Sequence, residues 1–346
     1  MEPLRYSGLV EDLPGEIRLD RYVAERLRLL SRSQIKSRIL EARVNGKPVK
    51  VSRLLRAGDA LTLSWLPQAP VHLEPEHIPL KILYEDRRCV VINKDQGMVV
   101  HPGAGNHSGT LANALLWRKL FCRAGAAGAR EVPAAAAAAG LRSGIVHRLD
   151  KDTSGVLIAA YDDEALAMLS AQFKARTVKK RYRALVQGSF REEGGRIYTR
   201  LIRDPRDRRR FRVLPVEASS PSSVPSASAG SVLAGAAPAG FPGKKLRGKL
   251  ALSYYRVLHS WGDYSLVSLA PRTGRTHQLR VHLKYLGHPI LGDPLYGSRD
   301  RSFPGVPLLL HARRLGIVLP GASGMSCFTA PLPGVFKNTL GTLMRR

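Results

Sequence analysis

Two acids one residue apart, Asp150 and Asp152, lie in the stretch Ile145-Val146-His147-Arg148-Leu149-Asp150-Lys151-Asp152-Thr153-Ser154-Gly155. With Arg148 and Lys151 beside them, either carboxyl is expected to keep its charge, because nearby cations favour the anion. An ionised carboxylate can serve as a nucleophile or a base. The next five residues, Val156 to Ala160, are an apolar run of the kind that makes a buried strand. The acids therefore sit on a loop feeding the core, where a rigid scaffold can aim side chains at a ligand. Gly155 suits a backbone that turns or is closely approached. Asp, Lys, Thr, Ser and Gly also make ordinary solvated turns, and these residues alone do not separate Asp150 from Asp152.

Two other elements carry chemistry. Lys179 to Val186 alternates as a strand and holds Tyr182 among cations. Arg272 to Leu283 holds Arg275, His277 and Arg280, and its tail suits the start of a helix with Thr276 as cap. A tyrosine such as Tyr182 in an alternating strand is more often plain core or surface, and Arg280 at a helix start could be any surface cation. His147, His277 and His282 do not combine with cysteines or acids at the spacing of a zinc site. The chain has no Gly-rich phosphate loop before Lys-Ser/Thr, no dinucleotide fingerprint and no Gly-x-Ser-x-Gly elbow.

Composition narrows the partner. Among 346 residues, 55 Lys and Arg face 27 acids, a formal charge of +28. That excess points to a polyanion, with nucleic acid ahead of an acidic membrane surface. No apolar run approaches the roughly 20 residues of a membrane span. The first residues lack the basic-then-apolar order of a signal peptide. Cys89, Cys122 and Cys327 lie far apart, which fits a reduced cytoplasm and no disulfide framework.

The elements that must position these residues fall into four segments. Residues 1–15 show no period and are expected to be a flexible tail. In residues 16–66, Leu19, Tyr22, Val23 and Leu27 recur at helical spacing. A Ser31-x-x-Gln34 capping box then opens a second helix. Asn45-Gly46 between apolar residues signals a hairpin. Arg32, Lys36, Arg38, Arg43 and Lys47 give this module a basic face, which is either an RNA-binding surface or a solvated one. Residues 67–78 read as a proline-containing linker, and residues 79–340 as a second domain. Low-complexity insertions are expected near 120–141 and 217–248.

With "Leu-Asp-Arg-Tyr" at its start and "Val-Asn-Gly" at its hairpin, the first module resembles the S4 RNA-binding domain. The second domain resembles the pseudouridine synthases of the RluA/RluD type. The match runs through Ile78-Pro79-Leu80, His101-Pro102-Gly103, the His147-Arg148-Leu149-Asp150 loop, and Lys180-x-Tyr182-x-Ala184-Leu185-Val186. It continues through Thr273 to His282, Gly287-His288-Pro289-Ile290 and Leu310-His311-Ala312. Asp95 and Ser143 depart from it, each standing where the family usually has proline; both put loop geometry in doubt more than chemistry.

The resemblance implies an α+β chain: a small S4 α/β RNA-binding domain, then a mixed, mainly antiparallel β-sheet catalytic domain with flanking helices. It implies isomerisation of uridine to pseudouridine in RNA, without metal or other cofactor; a cytoplasmic monomer that binds no membrane is expected. Large-subunit (23S) rRNA is the leading substrate and tRNA the nearest alternative. An RNA-binding or ribosome-assembly factor without catalysis is the reading from another class. By the same matching, Asp150 is the catalytic acid, whether it adds to the base, attacks the sugar or removes a ribose proton. Tyr182 stacks on the target base and helps remove the last C5 proton. Arg280 pairs with Asp150. Arg148 takes the place of the extruded uridine, and His147, Lys151, Thr153, Arg275, His277, Gln278 and Leu279 surround the substrate.

Overall fold

The computed structural model describes all residues except 1, 12, 14, 28, 31, 68–72, 104, 123–143, 215–247 and 346, and the side chains of 32, 33, 36, 121 and 122. Most of both expected low-complexity insertions, with Ser31 and Ser143, lies outside the described residues. The chain divides into two units, Met1–His72 and Leu73–Arg346.

The first unit runs β1 (Leu4–Leu9), β2 (Ile17–Arg18), α1 (Leu19–Glu25), α2 (Arg32–Arg38), β3 (Ile39–Val44), β4 (Lys47–Pro48), β5 (Leu54–Leu55) and β6 (Ala60–Trp65). Its sheet has the order β1-β6-β3-β4, with β2 and β5 paired separately. Leu19, Tyr22, Val23 and Ile35 from the helices bury against Leu55, Leu61 and Leu63. The Asn45-Gly46 turn has positive φ at both residues, as a tight hairpin requires. The Asn45 side chain then ties this turn to Asp59 and to the Ala60 N–H.

The expected flexible tail is corrected here. Leu4–Leu9 form a strand paired residue for residue with β6, from Leu4↔Trp65 to Leu9↔Ala60. Most β1 side chains stay exposed. The strand is held by its backbone ladder against β6, and a hydrophobic period does not report that kind of pairing.

The second unit runs β7 (Lys81–Glu85), β8 (Cys89–Lys94), α3 (Leu111–Trp117), β9 (Ser154–Ala160), α4 (Asp163–Ala175), β10 (Lys179–Gln187), β11 (Gly194–Arg203) and β12 (Phe211–Leu214). It continues with β13 (Lys249–Trp261), β14 (Tyr264–Pro271), α5 (Gln278–Tyr285), β15 (Leu310–Val318), β16 (Met325–Thr329) and α6 (Gly334–Met344). Ten strands make one sheet in the order β12-β11-β13-β14-β10-β15-β9-β8-β7, with β16 on β15. Its ladders are antiparallel except for β15 on β9. This is the mixed, mainly antiparallel sheet with flanking helices that the sequence implies.

Helices close the faces of this sheet. Ala165 and Leu169 of α4 pack on Val91, Val156 and Ile158. Leu279 and Leu283 of α5 pack on Ala184, Val186, Val267 and Leu269. Phe336, Leu340 and Leu343 of α6 cover Leu185 and Leu309. Burying each such side chain stabilises the fold by roughly 1.5–3 kcal/mol. Among the described residues no helix is long and apolar enough to cross a membrane.

Where β9 meets β15 the strands pair Ser154↔His311 and Gly155↔Ala312. Gly155 has φ +117°, and a Cβ there would lie 2.3 Å from the Ala312 carbonyl oxygen. Only glycine fits this crossing, and the Asp150 loop enters the sheet through it.

Candidate active site

An open cavity of about 440 Å³ lies over β10, the loop before β9 and the start of α5. Asp150 lines it together with seven Arg or Lys residues (Arg148, Lys174, Arg176, Lys180, Arg272, Arg275 and Arg280), and among the described residues no second acid does. Asp152 and Lys151 are not in the lining. The residues alone left the two acids undivided, and the resemblance favoured Asp150; the fold turns Asp150 and not Asp152 into the cavity.

The Asp150 loop is held through its backbone. Thr153 N–H donates to the Asp150 carbonyl at 3.1 Å, and Gly97 N–H to the Lys151 carbonyl at 2.9 Å. The Gln96 amide donates to the Asp152 carbonyl at 2.9 Å and to the Leu308 carbonyl at 2.8 Å. Lys94 is the deepest tether. Its ammonium, 1% exposed, donates to the carbonyls of Asp95, Met98 and Lys151 at 2.8, 2.9 and 3.0 Å. Burial lowers its pKa to about 8 against the upward pull of Asp152, Asp150 and Asp95. Asp95, which replaces the family's proline, also takes Lys81 in an exposed ion pair at 2.7 Å.

These ties leave the acid itself free. Among the described residues no hydrogen-bond or ion-pair partner engages the Asp150 carboxylate. Its charge nevertheless acts on Lys94, Tyr182, His277, Arg280 and Tyr296. Asp150 is the anion these five groups share.

Tyr182 projects from β10 into the cavity wall. Burial, with the Asp150 charge beside it, pushes its phenol well above the ordinary value. The hydroxyl therefore stays protonated, which favours use of the ring face over a phenolate base.

The expected Arg280–Asp150 pair is not formed. Arg280 instead places its fork on Asp293, with Nε–Oδ2 2.8 Å and Nη2–Oδ1 2.6 Å. The two side chains are 3% and 0% exposed. An uncompensated cation at such depth is costly, and Asp293 offers a bidentate acceptor already fixed by the N–H groups of Leu295 and Tyr296. Burial opposes the Arg280 charge; Asp293 outweighs it, and Asp150 adds to the stabilisation from farther away. The guanidinium carbon also lies 5.1 Å from the Tyr296 ring centre.

The start of α5 is also corrected. Thr276 does not cap it. His277 occupies the cap position with φ 55° and no side-chain capping bond. Gln278 closes the turn, its Oε1 accepting from Thr273 Oγ1 at 2.7 Å and from Arg275 N–H at 3.0 Å. Its amide donates to Ser253 Oγ, which meets His282 Nδ1, whose Nε2 meets Thr199 Oγ1 at 3.0 Å. This buried chain of polar groups fastens α5 to β11 and β13. His277 Nδ1 meets Tyr296 Oη at 2.9 Å, and burial lowers its pKa although Asp150 pulls it upward.

The other expected contacts divide by what already holds them. His147 Nε2 accepts from Ile158 N–H at 3.1 Å, and its ring stacks on Phe173. Burial, helped by Lys180, pushes its pKa down to about 3, so the ring is neutral. Thr153, Gln278 and Leu279 line the cavity but are largely buried. Arg275 spends its Nε on the Leu250 carbonyl. Arg148 is exposed. In the first unit Arg38 holds the Leu66 carbonyl with two bonds and Arg43 holds Glu41, while Lys47 is exposed. The side chains of Arg32 and Lys36 lie outside the described residues.

Comparison with known proteins gives the family. The family model described as RNA pseudouridylate synthase matches residues 88–285, more than half of the chain. The chain belongs to the RNA pseudouridylate synthase family. Ribosomal large subunit pseudouridine synthase D of Borreliella burgdorferi is 36% identical, over 92% of this chain and 87% of that protein. An uncharacterized RNA pseudouridine synthase of Chloroflexus aurantiacus is 40% identical, over 95% and 90%. Among solved structures, human RNA pseudouridylate synthase domain containing 4 superposes with a TM-score of 0.55 at 26% identity, over 76% of this chain and 93% of that one. The chain is an RNA pseudouridine synthase, an isomerase, and its substrate is RNA.

Lys94, Gln96, Asp293 and Tyr296 are the positioning residues that sequence reasoning passed over. In the sequence Lys94 is only a cation ending the apolar run from Cys89, and Asp293 only an acid just past the Gly287–Ile290 motif.

Proposed function

We propose that this synthase acts on uridines of large-subunit rRNA, as a cytoplasmic monomer, with Asp150 as its reacting carboxylate. The observation that carries the reading is Asp150 itself: the one acid lining a cation-rimmed cavity, without a partner of its own among the described residues. The Borreliella burgdorferi relative and one from Zymomonas mobilis, 34% identical over 96% of this chain, are both named as ribosomal large subunit enzymes, which supports the substrate class.

In the reaction the uracil N1–C1′ bond breaks and a C5–C1′ bond forms on the same ribose. The C5 proton leaves and N1 gains one, so no atom is added or lost. Addition to the base, attack on C1′ and removal of a ribose proton are the three routes for Asp150, and each needs an ionised carboxylate facing the nucleotide. The target must leave its stack to reach the cavity. Exposed Arg148 fills its place, and the Tyr182 ring supports the extruded base. Arg280, neutralised by Asp293, shapes the wall and steadies Asp150 by its field. The first unit acts as an S4-like RNA-binding domain, with Lys47 and its neighbours contacting phosphates.

Pseudouridine mapping of rRNA and tRNA tests this, in cells lacking the protein and in cells complemented with it. Loss and recovery of sites in large-subunit rRNA is the expected result. Loss confined to tRNA would move the substrate, and an unchanged map would leave only an RNA-binding factor.

A further inference from the structure

Lys180 and Tyr182 line the cavity, so the residues alternating with them on β10 face the other side of the sheet. Those residues are Lys179, Arg181 and Arg183, and the neighbouring strand adds to them. Arg181 is paired directly across the ladder with Arg314, and Arg183 with His311. The register shifts beside Arg181, with Arg313 at the irregularity. Like charges directly opposite in a ladder destabilise a sheet. No acid answers them: among the described residues Arg181, Arg183, Arg313 and Arg314 have no ion pair. Arg313 is anchored on the Ala330 carbonyl. Half-buried Arg183 has no hydrogen-bond partner among the described residues. Burial, then Arg313 and Arg181, all work against its charge.

We propose that Arg181, Arg183, Arg313 and Arg314 form a docking surface for the phosphodiester backbone of the RNA substrate, on the face of the sheet away from the Asp150 cavity. The inference rests on the RNA-modifying reading above and deepens it. Guanidinium forks suit paired phosphate oxygens, and a passing phosphate would relieve the repulsion that the empty surface carries. Strand β10 presents Lys180 to the cavity and Arg181 and Arg183 to the other side. RNA rounding this part of the sheet would therefore meet cations on both faces. An acidic protein segment is the competing occupant.

Two variants of the full-length enzyme test the proposal, with a transcribed large-subunit rRNA fragment as the probe. In Arg181→Gln/Arg183→Gln, the slope of log Kd against log salt should fall by about two, one for each phosphate no longer neutralised. Turnover at saturating RNA should stay unchanged. In Arg314→Glu, the new acid faces Arg181, so the melting temperature without RNA should rise while RNA affinity falls. A purely structural role would not move the two in opposite directions.

An unchanged salt slope with normal pseudouridine formation overturns the docking surface and leaves the enzyme reading intact. So does an equal drop in slope for the exposed pair Arg299→Gln/Arg301→Gln. Competition by polyglutamate without any change in the RNA slope would assign the surface to an acidic protein and overturn it too. Absence of pseudouridine from the unaltered enzyme would instead strike the reading of function.

Discussion

Asp150 and Arg280 face one cavity from positions fixed in opposite ways. The Asp150 loop is tied through main-chain oxygens: the carbonyls of Asp150, Lys151 and Asp152 receive Thr153, Gly97, Lys94 and Gln96. Its carboxylate is left unspent. On the α5 side the side chains themselves are spent, Arg280 on Asp293, Gln278 on Thr273 and Ser253, and His282 on Ser253 and Thr199. A group that must react needs its lone pairs free, so its support comes through the backbone. A group that must only hold shape and field can be saturated. The contrast supports the proposal that Asp150 does the chemistry and Arg280 positions it.

Removing Asp293 attacks the saturated side first. Asp293→Ala leaves a buried guanidinium unpaired, and urea unfolding should show a loss of about 3–5 kcal/mol. A loss below about 1 kcal/mol would mean that Arg280 readily turns to Asp150, and the contrast between the two walls would fail.

Acid titrates both sides, through His282 on α5 and His311 where β15 meets β9. His282 and His311 are fully buried, and burial pushes both imidazoles down to about 4. The unfolded chain binds protons near 6.5, so between pH 6.5 and 4 it takes up protons that the folded state refuses. Stability should therefore fall as the pH drops through that window, by up to about 3 kcal/mol per histidine. Unfolding free energies measured across it should slope, and His282→Gln should flatten the slope.

The backbone-tethered side is probed by Lys94→Met, which takes the ammonium from the carbonyls of Asp95, Met98 and Lys151 and leaves the Lys151 carbonyl with the Gly97 N–H. We expect turnover to fall about 100-fold, or roughly 2.7 kcal/mol, with RNA affinity nearly unchanged. An equal loss of affinity would show that Lys94 serves RNA binding and not the placement of Asp150. Arg148→Ala sits at the small end. Its exposed side chain ties nothing down, so stability should not change and KM should rise about tenfold, near 1.4 kcal/mol.

What the sequence disclosed follows locality. Asn45-Gly46, Gly155 and the β9 run are written in adjacent residues, and each appears where its own neighbours place it. The family motifs brought Asp150, Tyr182 and Arg280 to one site before any coordinates did. The partner of Arg280 was missed because ion pairing depends on depth. Thirteen residues separate it from Asp293, and nothing local says which acid is buried. Lys94 escaped for a related reason, since an ammonium is almost never fully buried unless paired. Strands β11, β12 and β16 were passed over, and β1 was misread as a tail. Their pairing is settled by strands distant in sequence.

The most direct test is single-turnover pseudouridine formation by Asp150→Asn beside Asp152→Asn, with RNA binding measured for both. Asp150→Asn should bind RNA as the unaltered enzyme does and form product at least about 1,000-fold more slowly, a deficit of roughly 4 kcal/mol. Asp152→Asn should keep most of its rate. A comparable rate in Asp150→Asn, or the larger loss in Asp152→Asn, would contradict the assignment of the reacting carboxylate.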